Sequence, residues 1–309
     1  MVKKRIRPSK KNKNKELFRE ENVIKNHCEC MKILITGANG MLAKAVRNEF
    51  REDELILTDV KDLDITDLEA VKEYVSKKKP ELIINCAGYT AVDKAETEED
   101  LAYKINAIGP KNLAIASKMN DAILVHISTD YVFGGSKPIN ECYDEDDEKH
   151  PQAVYGTTKL EGEKFVEAEC KKYYIFRTAW LYGEGHNFVR TMIEASKTRN
   201  EVTVVNDQHG SPTYAVDLAS IIHQAIIKRI PFGVYNATNI GFTTWYDFTK
   251  GIYELKGIKC KVIPVSSETF NSPAKRPKNS QMSKEKLLKN GITIPTYENA
   301  LERYLETEN

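Results

Sequence analysis

Nowhere in its 309 residues does the chain contain an apolar run approaching the roughly 18 residues that span a bilayer, and its start lacks the pattern of a secretory signal. No membrane partner is expected. Net charge is also almost absent, with 46 Lys/Arg against 45 Asp/Glu, or +1. That balance hides an asymmetry: residues 1–30 carry +6 and residues 31–309 carry −5. The larger part is mildly acidic and lacks the basic footprint of a nucleic-acid-binding surface. The six cysteines, at positions 28, 30, 86, 142, 170 and 260, are spaced neither as a disulfide framework nor as a zinc site. His27, Cys28 and Cys30 cluster, but no second ligand pair lies near them in sequence, so no metal is expected. A reduced, cytoplasmic compartment fits this cysteine usage. There are no internal repeats.

Residues 1–30 are rich in Lys and Asn and poor in apolar side chains, so they cannot bury enough surface to offset the entropy of ordering. They read as a disordered basic extension ahead of Met31; capture of nucleic acid or anionic lipid is the other expectation for such charge. From Met31 onward short β-rich runs alternate with helical stretches. Strands are expected at 32–36, 55–58, 81–87, 122–128 and 173–179, and helices near 41–51, 67–78, 98–119 and 155–171. Near-continuous apolar strands separated by helices imply a parallel sheet covered on both faces, an α/β chain of Rossmann-type, doubly wound form. A dinucleotide-binding domain is expected over 31–180, to which the chain returns near 210–237, with a smaller, mainly substrate-binding domain over 181–309. The acidic stretch 141–149 reads as a solvated loop.

Three places carry chemistry. The turn Gly37-Ala38-Asn39-Gly40 follows the first expected strand and runs into Met41, Leu42 and Ala43. Its glycines permit a tight turn and close approach of a pyrophosphate to helix-start amides, and Ala43 is small enough for close helix–strand packing. Asp59, 22 residues after Gly37, is placed to accept hydrogen bonds from adenosine ribose hydroxyls. It would repel a 2′-phosphate, which favours NADH over NADPH, although Lys61 works against that repulsion. Asp64 and Ile65 follow as candidates for the adenine edge. Cys86, Ala87 and Gly88 fall at the carboxyl end of the third strand, where such sheets bind ligands, and are taken as cofactor contacts. Thr129 follows the fourth strand and could hydrogen-bond a substrate carbonyl, or simply cap its turn. Tyr155 and Lys159 stand four apart on one helical face, 27 residues after Ser128. A neighbouring ammonium would lower the pKa of the phenol from its usual value of about 10 toward useful acid–base chemistry. Asn106 reads equally as an orienting group near the site and as a mid-helix packing residue.

In order, Thr36-Gly37…Gly40…Ala43, Asn85-Cys86-Ala87-Gly88, Ser128-Thr129-Asp130-Tyr131-Val132-Phe133, Tyr155…Lys159 and Arg177-Thr178-Ala179-Trp180 resemble the extended short-chain dehydrogenases/reductases. The segments 90–96, 187–192, 207–213 and 276–280 narrow the resemblance to the dTDP-4-dehydrorhamnose reductase family, over residues 31–309. That resemblance implies reduction, by NADH or NADPH, of the C4 keto group of a dTDP-linked keto-deoxy sugar, dTDP-4-dehydro-L-rhamnose. Tyr155 would protonate the C4 oxygen, Lys159 would bind the nicotinamide ribose, and Thr129 would hold the carbonyl. Thr90, Val92, Asp130, Tyr131 and Trp180 would line the sugar site, Trp180 as an apolar wall. A homodimer is expected on the same ground. The chain departs from the family pattern at Met41 and Ala43, where Gln and Gly are usual, and at Tyr89, where His is common. The alternatives are a reductase of another nucleotide-linked 4-keto-6-deoxy sugar, or a non-catalytic regulatory subunit of methionine adenosyltransferase type.

Overall fold

Lys-Ile-Leu-Ile-Thr cannot sit at a water-exposed sheet face, because its apolar side chains point both ways, and as β1 (Lys32–Thr36) it lies buried between two helical layers. The computed structural model describes residues 30–270 and 272–308. The expectations for the basic extension and for the His27–Cys28 cluster lie outside the described residues. After β1 come α1 (Met41–Glu49), β2 (Glu54–Thr58), α2 (Leu68–Lys78), β3 (Leu82–Asn85), α3 (Gly109–Met119), β4 (Ile123–Thr129), α4 (Val154–Glu169) and β5 (Tyr173–Thr178). Ahead of α3 the chain passes through the helical turn Glu99–Tyr103 and a π-helical turn, Lys104–Ile108. Then follow α5 (Phe188–Thr198), β6 (Glu201–Val205), α6 (Ala215–Ile227), β7 (Gly233–Asn236), α7 (Trp245–Leu255), β8 (Lys261–Val265) and α8 (Tyr297–Thr307).

Six strands form one parallel sheet in the order β7-β5-β4-β3-β1-β2. The chain leaves β1 toward β2 and comes back to β3 on its other side, so the crevice beyond the carboxyl ends of β1 and β3 is the switch point at which such sheets bind ligands. One sheet face, through Leu34, Ile83, Leu124 and Ile175, packs against α2, α3 and α4 by way of Val71, Val75, Leu113 and Val166. Two residues further along each of these strands the same face turns polar. Thr36, Asn85 and His126 stand in register, as do Ser128, Arg177 and Asn236, and all six are buried. Thr36 Oγ1 donates to Asn85 Oδ1 at 2.7 Å, the Ala87 amide donates to the same oxygen at 3.2 Å, and Asn85 Nδ2 meets His126 Nδ1 at 3.2 Å.

The acidic stretch 141–149 is not the solvated loop expected. Tyr143 and Glu145 are buried; the Phe133 ring stacks on Tyr143 at 4.5 Å, and Glu145 Oε1 accepts the Asn236 amide at 2.9 Å. Composition failed here because two inward side chains, among many exposed charges, close the far end of the polar row. A second core gathers Tyr182, Val189, Val202, Val204, Phe248, Ile252, Leu301 and Tyr304 from the later elements, over which β6 and β8 pair in parallel. Lys32–Asn309 forms one compact unit. Among the described residues no helix is long and apolar enough to cross a membrane.

Asn85 serves two buried side chains, on β1 and β4, and the part-buried Ala87 amide in the loop after β3, so its shape-matched removal leaves them unpaired. Asn85→Leu is expected to lower unfolding free energy by about 2–4 kcal/mol in urea titration, since each orphaned polar group costs about 1–3 kcal/mol.

Candidate active site

The glycine turn after β1 is shaped by its contact with the loop after β3. Gly37 has φ +63°, and a Cβ there would sit 2.7 Å from the backbone of Ala87. Only a residue without that carbon lets the two loops meet. The Gly40 amide donates to Gly37 O at 2.9 Å, and the Ala38 amide to Thr58 O at 3.0 Å, tying the turn to β2. Gly40 is the N-cap of α1, which, among the described residues, has neither a side-chain cap nor an acidic residue in its first turn. Its first amides are therefore left for an anion. Ala43 is fully buried. The Asp59 carboxylate stands at the rim of the turn, accepting the Asn39 amide at 3.3 Å and the Val60 amide at 2.8 Å. Asp64 spends Oδ1 on the amide and hydroxyl of Thr66. The Ile65 side chain is in the core against Gly109, and its carbonyl accepts Asn112 Nδ2 at 2.9 Å.

A cleft of about 1690 Å³ opens from this turn toward the later elements. That exceeds the usual 300–1,000 Å³ of a single ligand pocket and leaves room for two molecules side by side. Gly40, Met41, Leu42, Cys86, Ala87, Gly88, Thr90, Val92, Thr129, Asp130, Tyr131, Tyr155, Lys159 and Trp180 all line it. Gly37, Asn39, Asp59, Asp64 and Ile65 lie outside its lining. The glycine cradle, the free helix start and the cleft beside them fit a dinucleotide. Among the described residues no group of three or more His, Cys, Asp or Glu could hold a metal.

Tyr155 enters the cleft from the first turn of α4. Burial holds its phenol pKa well above the ordinary value, Asp130 and Tyr131 push the same way, and a hydrogen bond with Thr129 opposes them. Lys159, one turn on, is buried, donates to Ile127 O at 2.5 Å, and has its pKa lowered to about 8 by desolvation, against the pull of Glu163 and Cys86. The expected depression of the Tyr155 pKa by Lys159 is thus overturned. Desolvation dominates both groups, and the ammonium is spent on a strand carbonyl. Thr129 takes the capping role, its hydroxyl accepting the Tyr131 amide at 3.2 Å, and the same hydroxyl faces Tyr155. It also donates to Asp130 Oδ1 at 2.9 Å; Asp130 is buried, which raises its pKa to about 6. The Cys86 thiol is pushed up to about 12 by burial and is no nucleophile. Asn106, in the π-turn, clamps the backbone of Tyr89 from both sides, at 2.8 and 3.1 Å, and donates to Thr158 Oγ1 at 3.2 Å. The Tyr89 hydroxyl turns away to Glu98.

Two side chains missed by sequence reasoning, Trp245 and Arg276, complete the cleft. Trp180, at φ +48°, stacks on Trp245 with ring centroids 3.6 Å apart and planes 11° apart, and Gly210 leaves room for its ring edge. The wall is a stacked pair, not one ring. Arg276 donates to Asp93 Oδ2 at 2.8 Å and to the Tyr131 hydroxyl at 3.3 Å, and the Tyr131 ring meets Tyr155 edge-on at 5.4 Å. The scarcity of Trp and the basic run 275–278 were the available signals for these two.

Comparison with known proteins agrees with this geometry. Residues 31–309 match the family described as the RmlD substrate binding domain. A dTDP-4-dehydrorhamnose reductase structure from Clostridium acetobutylicum is 50% identical, with TM-score 0.88, covering 90% of this chain and 99% of that one. One from Bacillus anthracis, in complex with NADP, is 44% identical with TM-score 0.86 and the same coverage. A spore coat polysaccharide biosynthesis protein of Bacillus subtilis is 37% identical over 89% of this chain and 97% of its own length.

Gly37→Ala would drive a methyl group into the Ala87 backbone in a left-handed conformation. NADPH affinity, followed by nucleotide fluorescence, is expected to fall at least about tenfold, the equivalent of 1.4 kcal/mol.

Proposed function

Because the chain belongs to the RmlD substrate-binding-domain family, we propose that it reduces the C4 keto group of dTDP-4-dehydro-L-rhamnose to give dTDP-L-rhamnose, using NADH or NADPH. The observation that carries this reading is the pairing of a half-buried Tyr155 with the Thr129 hydroxyl inside the cleft. The glycine turn and the start of α1 would take the pyrophosphate, with Asp59 at the adenosine ribose and Lys159 at the nicotinamide ribose. When bound, the nicotinamide supplies the hydride that reaches C4. Thr129 holds the keto oxygen. Tyr155 gives that oxygen its proton as negative charge grows on it, so the carbonyl becomes a secondary alcohol and the tyrosine a phenolate. Burial, which raises the Tyr155 pKa, keeps the donor protonated until that moment, and the Thr129 hydroxyl then supports the phenolate.

Thr90, Val92, Asp130 and Tyr131 line the sugar end of the cleft, with the Trp180–Trp245 pair as its apolar wall. In this reading residues 31–180 are mainly the dinucleotide half and 181–309 mainly the substrate half, in a cytoplasmic homodimer; location rests on the cysteine usage and assembly on the family resemblance.

The test supplies the keto sugar in situ from an upstream dehydratase and epimerase and follows NADH and NADPH oxidation. Tyr155→Phe is expected to lower kcat at least about a hundredfold with cofactor binding retained. A wild-type protein that binds NADPH yet leaves this sugar unreduced would overturn the reading. Asp59→Asn removes the charge that opposes a 2′-phosphate, so the ratio of kcat/KM with NADPH to that with NADH is expected to rise about tenfold.

A further inference from the structure

Three successive residues at the end of β4 each hold one residue of α4. The Ile127 carbonyl accepts Lys159 Nζ, the Ser128 hydroxyl donates to Glu163 Oε1, and the Thr129 hydroxyl bonds Tyr155. Tyr155, Lys159 and Glu163 follow at four-residue spacing, so they form one stripe on the helix. Only the third has no task in the chemistry above. Glu163 is 2% exposed and grips an equally buried Arg177 through two side-chain nitrogens, Nη2 to Oε2 at 2.7 Å and Nε to Oε1 at 2.9 Å. Arg177 Nη1 donates to Glu145 O at 2.8 Å, and its guanidinium lies over the Phe133 ring at 5.1 Å.

A buried ion pair is a poor source of stability, because desolvation consumes most of its attraction. Packing alone would be served as well by apolar residues. We propose that the Glu163–Arg177 pair is a positioning unit of the reductase: it locks α4 in register against β4 and keeps Lys159 cationic beneath the bound dinucleotide. The inference rests on the reductase reading. Glu163 opposes the desolvation that drives the Lys159 pKa down to about 8. The other groups facing Lys159 carry no competing charge. Cys86 is held as a thiol, His126 on β4 is held neutral by burial, and Tyr155 keeps its proton. Around Glu163 stand Arg177 from β5, Lys149 from the loop before α4, and Glu167 one turn further along α4. Without the carboxylate, Lys159 would lose its proton at lower pH, so the alkaline limb of any property needing the cation moves down the pH scale.

The experiment measures NADPH affinity and kcat from pH 6 to 10 for Glu163→Gln and for the double variant Glu163→Met/Arg177→Met. The double variant removes both charges with similar volume, and such replacements tend to preserve folding. Both limbs are expected to move down by about one pH unit or more, the least that loss of a nearby opposite charge produces. Near pH 8, kcat should fall at least about fivefold, as a one-unit shift of a group titrating there requires, with KM for the sugar within about threefold of wild type. Limbs that coincide with wild type in the folded double variant overturn the proposal, even if kcat or thermal midpoint drops, because a purely structural pair would behave that way. If the wild type does not turn over the sugar, the reductase reading fails, while the NADPH limb still decides the role of Glu163.

Discussion

A parallel sheet sealed on both faces leaves no water for a polar side chain, yet this sheet turns polar over the last residues of its central strands. A group placed there costs stability unless it finds a partner within the protein. Thr36, Asn85 and His126 answer one another across β1, β3 and β4, while Ser128 and Arg177 converge on Glu163. At β7 the row ends on the 141–149 segment, which supplies the Glu145 carboxylate and carbonyl, and the Tyr143 carbonyl to Asn236 Nδ2 at 2.9 Å. The loop bearing Cys86–Gly88 hangs from this row through the Ala87 amide, and α4 is fastened to it by Lys159 and Glu163. The proposed cofactor cradle and acid are thus held to one rigid edge, as a site needing sub-ångström placement requires.

The later elements contribute shape to the site. Arg276 reaches across to Asp93 and Tyr131, and Asp93 Oδ1 accepts Ser272 Oγ at 2.7 Å, so the segment between α7 and α8 is fastened over the proposed sugar end. The Trp180 ring has one face committed to Trp245, which fixes its plane. Specificity for a sugar would follow from the outline of this wall, and chemistry from the sheet edge.

Much of this was legible in the sequence because the signals are local. Apolar runs fixed the strands to within a residue or two, and the four-residue spacing of Tyr155 and Lys159 put both in the cleft. What was hidden depends on tertiary burial. The fall of the Lys159 pKa and the rise of the Tyr155 pKa come from desolvation, which four-residue spacing cannot report. Glu163 looked like an ordinary helix-surface acid. Its clue was the lone Arg177 directly after the apolar run Tyr173–Phe176 and still within β5, a charge that needed a buried partner. In 141–149 the exposed acids outnumbered the two side chains that matter. Asp64 and Ile65 follow the second strand as expected, but one closes its own turn and the other fills the core.

The chain contains two tryptophans, and they are stacked on each other in the cleft wall. All of its indole absorption and emission therefore arises from a single spot beside the proposed sugar site. Coupled rings at this separation give a dichroic signal that depends on their mutual tilt. The protein thus carries its own optical gauge of how its wall responds to an incoming ligand, without a label and without turnover.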